Sequence, residues 1–472
     1  MKVVKSEFLS NSKSVVSKLI SMLSEEYKYV SVLGTDIKGK SYRVSKTGIE
    51  VNDSFLVERG FVVRIHNGVN YSEYSFNNIS DDNLGAIVKE ISTKLNKVSK
   101  DISVNSYDLI EEEEEIKESF IGEMKIDPEE VGSEVIIKTL SEIKDAALAH
   151  SDLVVNIDAI YNTYHISKLF MSNKKDLEQS YMLGEGYIFS IARKEEKTKY
   201  YFKPFSGLKG FEILDELKAE YKNVVETSIK LLDAKNVQPG EYEVICAPDV
   251  AGLIAHEAFG HGVEMDMFVK DRAKGAEFIG KQVASKITTM HDGATAANHM
   301  SSYFFDDEGT IGTDTVVIEN GILKAGISDI LSAIKLGTTP TGNGKRQSFE
   351  RKAYARMTNT FFAPGKDKLE DMIASVKDGY LLEGSYSGME DPKSWGIQCI
   401  ASFGREIKDG KLTGNIIAPV VMTGYVPDLL NSISMVSETV ELGGSGYCGK
   451  GYKEFVKTSC GGPYIKAKVR LG

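Results

Sequence analysis

A chain of 472 residues is too long for one ordinary domain, and its 42% apolar and 26% charged residues give a globular balance with material for roughly two to four. A net charge of −11 argues against a general nucleic-acid binder, which needs a basic surface. Four cysteines make no disulfide framework, so the expected setting is a reducing cytoplasm where a cysteine serves as a thiol or a metal ligand.

The opening "MKVVKSEFLSNSKSVV" has no uninterrupted apolar stretch of the signal-peptide kind, and no later segment is long and apolar enough to span a bilayer. "SVVSKLISMLSEEY" (Ser14 to Tyr27) has helical apolar spacing. "YRVSKTGIEV" and "GFVVRIHNGVNYSEYSF" alternate as strands do, with Asn67-Gly68 predicting a tight hairpin of the I′ type. The acidic run Glu111 to Glu115 reads as a solvated linker or helix start.

From Met124 to Ala234 a helix near Val135–Ala149 leads into two alternating stretches, "LVVNIDAIYNTYHISKLFMSN" and "GYIFSIARKEEKTKYYFKPF". A long helix near Phe211–Leu232 closes the segment. Pro239-Gly240 in "KNVQPGEYEVICAP" is a turn signal ahead of a new apolar strand. The predicted divisions are 1–107, a helix with antiparallel strands; 108–235, a middle α+β segment; and 236–472, a glycine-richer domain with the candidate chemistry. Strands punctuated by helices, without regular βαβ alternation, predict an α+β fold whose C-terminal part is a mixed, largely antiparallel sheet domain.

"LIAHEAFGHGVEMD" (Leu253 to Asp266) holds the sharpest signal. The zinc-peptidase spacing H-E-x-x-H puts both imidazoles on one helix face, and here one more residue intervenes. In an α-helix five steps place His256 and His261 roughly 140° apart. A π-type turn, bonded i to i+5, would return them to one face, and Gly260 would let the helix loosen or end. Two readings stay open on spacing alone: an ion shared across a widened turn, or two imidazoles hydrogen-bonded at a helix end.

A catalytic zinc site takes three protein ligands and keeps one position for water. Cys246 and Cys399 lie in apolar strands and read as buried, inert thiols, while Cys460 stays open. Cys448 lies among Gly443, Gly444, Gly446, Gly449 and Gly451, a loop that could wrap an ion or be a plain flexible turn. Lys450 nearby would favour its thiolate.

"HEAFGHGVEMD", "FFDDEGT", "PTGNGKRQ", "RMTNTFFAPG" and "GSGYCGKG" occur in the order seen in the TldD/PmbA family of cytoplasmic metallopeptidases and their relatives, which this chain resembles over Glu241 to Gly472. "ERGFVVRIHNG" (Glu58–Gly68) resembles the family's N-terminal motif. The intact H-E-x-x-x-H is similar to the TldD branch rather than the PmbA (TldE) branch. The resemblance implies Zn2+ held by His256, His261 and Cys448, with Glu257 as the catalytic carboxylate that activates a zinc-bound water. It also implies dimers, of one chain or with a TldE/PmbA-like subunit, that cleave short or unfolded peptides or mature peptide natural products of the microcin kind. Two departures, Gly451-Tyr452 where the family has a Gly-Gln pair and the ending "KVRLG", bear on the substrate channel and touch no proposed ligand.

Arg356, Asn359, His291 and His299 are candidate oxyanion donors, and Asp306, Asp307 and Glu308 candidates for supporting bonds or a turn cap. The loop Gly342-Asn343-Gly344 lacks the Lys-Ser/Thr pair of a phosphate loop. One alternative to a peptidase is a non-catalytic peptide-binding subunit of a TldD/TldE-like complex. A deaminase would carry His-x-Glu and Pro-Cys-x-x-Cys, both absent, and a structural zinc would close all four positions.

Overall fold

The computed structural model describes the chain except residues 102–105, 111, 113 and 453, and the side chains of 96–101. Of the acidic run, Glu111 and Glu113 lie outside the described residues.

The first helix spans Glu7–Ser24, seven residues longer at its start than the spacing predicts. Ser6 caps it, its hydroxyl accepting the Leu9 amide at 3.1 Å, and Leu9 extends the buried stripe of Val16, Leu19 and Leu23 two turns earlier. The strands Glu58–His66 and Tyr71–Phe76 form the expected hairpin, but its loop has four residues and only Gly68 takes positive φ. The Asn67 side chain explains the longer loop, since it accepts the amides of Val69 at 3.0 Å and Asn70 at 2.9 Å.

Segments 1–107 and 108–235 both feed one nine-stranded sheet. The strand Val154–Ser172 pairs along one edge with Lys40–Ser45 and then Tyr29–Lys38, and along the other with Lys175–Lys194. Helices Ser133–Leu148 and Ile213–Lys230, close to their predicted positions, bury Ile136, Leu140, Leu217 and Val225 against Tyr161 and Ile188. No helix among the described residues is long and apolar enough to cross a membrane.

Beyond Gly240 the chain builds its own sheets, and the whole is an α+β fold with mostly antiparallel pairing. Pairing runs from Gly240–Cys246 through Asp378–Asp391, Gly396–Lys408, Val420–Tyr425 and Ile465–Leu471 back to Gly240–Cys246, closing a ring. A six-stranded sheet including Asn359–Phe362 and Ser459–Gly462 lies beside it. The helix Pro248–Ile254 leaves the ring strand Gly240–Cys246 and runs so close to the second sheet that any side chain at Gly252 would collide with the Gly461 backbone. That wedge carries the His-Glu motif.

The two halves are joined by buried ions. Arg64 meets Glu308 at 2.5 Å, Arg346 meets Glu73 at 3.0 Å, Lys168 pairs with Asp307, and Glu58 accepts the Phe349 amide at 3.1 Å. The "ERGFVVRIHNG" motif is therefore half of this clasp. In "FFDDEGT", Asp306 caps a turn by accepting the amides of Glu308 and Thr310, each at 2.9 Å.

Candidate metal centre

After Ile254 the helix widens into a π turn, Ala255–Gly260, followed by a single tight turn His261–Val263. The widening brings the two imidazoles onto one face, with ring centroids 5.2 Å apart and planes near perpendicular at 85°. Gly260 is the last residue of the π turn, and its φ of −61° is helical. Its missing side chain makes room for the Met357 sulfur, which a Cβ there would strike.

Cys448 arrives on a short hairpin, Tyr447–Lys450 with Glu454–Lys457. Ligand atoms of His256, His261 and Cys448 all lie within 4.8 Å of one another, and Cys448 Sγ is 3.4 Å from His261 Nε2. Tetrahedral zinc with bonds of about 2.3 Å to sulfur and about 2.1 Å to nitrogen holds such a pair about 3.6 Å apart, so the donors fit the ion in type and span. Against burial, which would raise it, His261 and then His256 hold the Cys448 thiol well below its ordinary value. The same contact works on His261, which burial would lower but Cys448 and Glu264 hold well above the usual imidazole range. His256 Nδ1 is buried without a hydrogen-bond partner among the described residues, which disfavours the reading of two imidazoles satisfied by protein hydrogen bonds.

The surrounding residues fix two of the three candidate ligands. Glu264 sits 3.1 Å from His261 Nδ1, which leaves Nε2 turned to the thiol, the carboxylate–imidazole pairing typical of metal sites. Arg356, buried, donates to the carbonyls of Cys448 at 2.5 Å and Glu454 at 3.2 Å and lies 3.8 Å from Glu264. Lys450 does not attend the thiol. It is committed to Glu264 at 3.1 Å, Asp266 at 2.6 Å and the Ala355 carbonyl at 3.0 Å, so the imidazoles, rather than the lysine, stabilise the thiolate.

Glu257 shares the π turn and is half-buried. Strand Asp378–Asp391 passes against it at Gly388 and places Glu390 beside Gly262. Glu390 was not foreseen. Both its oxygens are buried without a hydrogen-bond partner among the described residues, and burial, with Glu257 and Glu264 nearby, pushes it up to about 9 against the pull of His261. Its only signal in sequence was the alternation Gly388-x-Glu390, too common to notice.

Three of the four oxyanion candidates are engaged elsewhere. Arg356 serves the hairpin carbonyls, and Asn359 donates to the Gly293 carbonyl and the Ser302 hydroxyl, each at 3.0 Å. His291 bonds Asp314 at 2.8 Å and stacks on Phe361. His299 is held down to about 4 by burial and Lys209. Burial pushes Cys246 and Cys460 up to about 12 and Cys399 well above its ordinary value, so all three are protonated thiols. Asn343 in the glycine loop donates to Asp292 at 2.7 Å and to the Arg356 carbonyl at 3.0 Å, a structural brace.

Residues 239–470 match the family described as the PmbA/TldA metallopeptidase C-terminal domain. A protein of Methanocaldococcus jannaschii named a metalloprotease is 28% identical over 400 residues, 83% of this chain and 85% of that one. A metalloprotease TldD homolog of Buchnera aphidicola is 36% identical over 233 residues, 48% of this chain and 47% of its own. A zinc metalloprotease TldD homolog of Saccharolobus solfataricus is 28% identical over 317 residues, covering 65% and 70%. The fold is also that of TldE from Thermococcus kodakarensis, at a TM-score of 0.74 and 19% identity over 97% of this chain and 99% of that one.

Proposed function

The chain belongs to the TldD/PmbA family, and on that premise we propose that it is a zinc-dependent peptidase of the TldD branch that hydrolyses short or unfolded peptides. Residues 236–472 are its catalytic domain in this reading. The observation that carries it is the meeting of His256, His261 and Cys448 within 4.8 Å, with Glu257 in the same widened turn. Those three side chains would hold the ion. When bound, zinc supplies Lewis-acid chemistry, polarising a peptide carbonyl and making water acidic near neutral pH.

The protein's own residues do the rest. A carboxylate oxygen of Glu257 takes the proton from the attacking water and hands it to the nitrogen of the leaving amine. Glu264 holds the His261 ring through Nδ1, which keeps Nε2 free as a ligand. Arg356 holds the Cys448 carbonyl, and Lys450, two residues on, anchors the strand to the Ala355 carbonyl. A dimer, of two copies or with a TldE-like subunit, and a cytoplasmic setting belong to the same proposal. The shared TldE fold supports the first, and four cysteines free of disulfides support the second.

The test is to digest unstructured peptides with wild type and Glu257→Gln, reading products by mass spectrometry and zinc on the same samples. The expected result is about one zinc per chain in both proteins and cleavage by wild type alone. Full cleavage by the variant would remove Glu257 from its role.

A further inference from the structure

Among the described residues, the strands of the hairpin that carries Cys448 pair only with each other, and a lone two-stranded ribbon is marginal in water. Glycines at 443, 444, 446, 449 and 451 add freedom on both sides. Arg356 holds it through the Cys448 carbonyl, and Glu264 through Lys450, from the C-terminal half. Its base is held from the N-terminal sheet, and one carboxylate is the hub.

Glu185, buried in the strand Lys175–Lys194, pairs with the Lys457 ammonium through Oε1, with the Tyr187 hydroxyl 3.2 Å from the same oxygen. Its Oε2 accepts the Tyr164 hydroxyl at 3.1 Å and the Asn162 amide at 3.3 Å. Tyr164 in turn lies 2.8 Å from the Tyr447 hydroxyl, forming a chain from Tyr447 through Tyr164 to Glu185. Lys457 sits 3.7 Å from the Tyr447 ring centroid and donates to the Ser445 carbonyl at 3.3 Å. Tyr187 donates to that carbonyl at 2.6 Å, and the Gly444 amide donates to Ser206 at 2.8 Å.

Tyr447 and Lys457 are opposite one another in the ribbon, and the next rung is Cys448 with Val456. Glu185 therefore grips both members of the rung beside the sulfur. We infer that Glu185 is a positioning residue for the metal centre: through Lys457 and the Tyr164–Tyr447 hydroxyls it sets where the hairpin presents Cys448 Sγ. This rests on the reading of His256, His261 and Cys448 as ligands. Without the Glu185 charge, Lys457 is left buried with no counter-charge and must move or lose its proton, and either releases the rung.

The experiment loads the full-length protein with cobalt(II) and follows the thiolate-to-cobalt charge-transfer band together with cobalt affinity. Glu185→Gln and Tyr164→Phe are each expected to lower affinity at least about tenfold and to weaken or shift the band. Ile188→Val, in the same strand but in the core away from the hairpin, is expected to lower thermal stability and leave both readouts alone. Tyr164→Phe keeps the ring packing and decides the matter if Glu185→Gln does not fold. Unchanged affinity and band in the variants overturn the inference, as does an equal loss in Ile188→Val. A wild type with no thiolate band would instead overturn the ligand reading beneath it.

Discussion

A Cβ placed on Gly388 would lie 2.5 Å from Cγ of Glu257, so strand Asp378–Asp391 and the π turn touch at the carboxylate to which we assign proton transfer. Glycine is required there because the Glu257 side chain occupies the space. Gly388→Ala is expected to displace that carboxylate and to cut peptide turnover by about 10- to 100-fold, as small misplacements of a catalytic group do. Zinc per chain should be unchanged. Turnover and metal content measured on one preparation check this, and wild-type turnover would show that Glu257 does not act from that position.

Cys448→Ala removes the one thiolate of the cluster, and the other three cysteines are protonated and buried or half-buried away from that role. The variant is expected to be purified without stoichiometric zinc and without activity, whereas Cys460→Ala keeps both. Dialysis of wild type against a chelator should abolish cleavage, and zinc should restore it. Metal analysis and peptide cleavage, both read by mass spectrometry, check all three.

Glu264 is almost fully buried and serves His261, Lys450 and Arg356 together. Glu264→Gln leaves two buried cations with one fewer negative charge and weakens the hold on the His261 ring. Zinc affinity is expected to fall about 10- to 100-fold, and stability by about 3 kcal/mol. Competition with a chromogenic chelator and thermal unfolding separate the two effects. A variant as stable as wild type that still loses affinity would assign the residue to the ligand rather than to the fold.

The parts legible in the sequence were those governed by local spacing. Five steps between His256 and His261 pointed to a π turn as the one way for a helix to put both on one face, and helical or alternating periodicity placed the helices Ser133–Leu148 and Ile213–Lys230 and the long strands between them. Long-range packing was not legible. Cys448 could be named as a partner of histidines far away only through its glycine-dense setting and a family likeness. Arg356 read as a donor toward substrate and proved to be a brace on the Cys448 carbonyl. Glu390 carried no signal beyond a common alternation, because its environment is made by a strand and a turn remote in the chain. The first helix starts early because Ser6 can cap it, a hydrogen bond that apolar spacing does not register.

Glu58 joins the halves by accepting the Phe349 amide, and its burial sets a pH dependence. Burial pushes its carboxyl from the ordinary value of 4.5 up to about 7, against the pull of Lys168 and of that amide. Between those two values the folded chain keeps a proton that the unfolded chain has released, so raising pH through the window costs stability. The cost is absent below pH 4.5 and complete above pH 7. Glu58→Gln can still accept the amide and has nothing to titrate. The variant is therefore expected to match wild type near pH 4.5 and to gain on it as pH rises, reaching an advantage of about 3 kcal/mol above neutrality. Urea unfolding of both proteins at pH values spanning the window measures the difference. A constant offset across pH would mean that Glu58 is ionised in the folded chain throughout and that its contribution to the clasp is an ordinary salt-linked carboxylate.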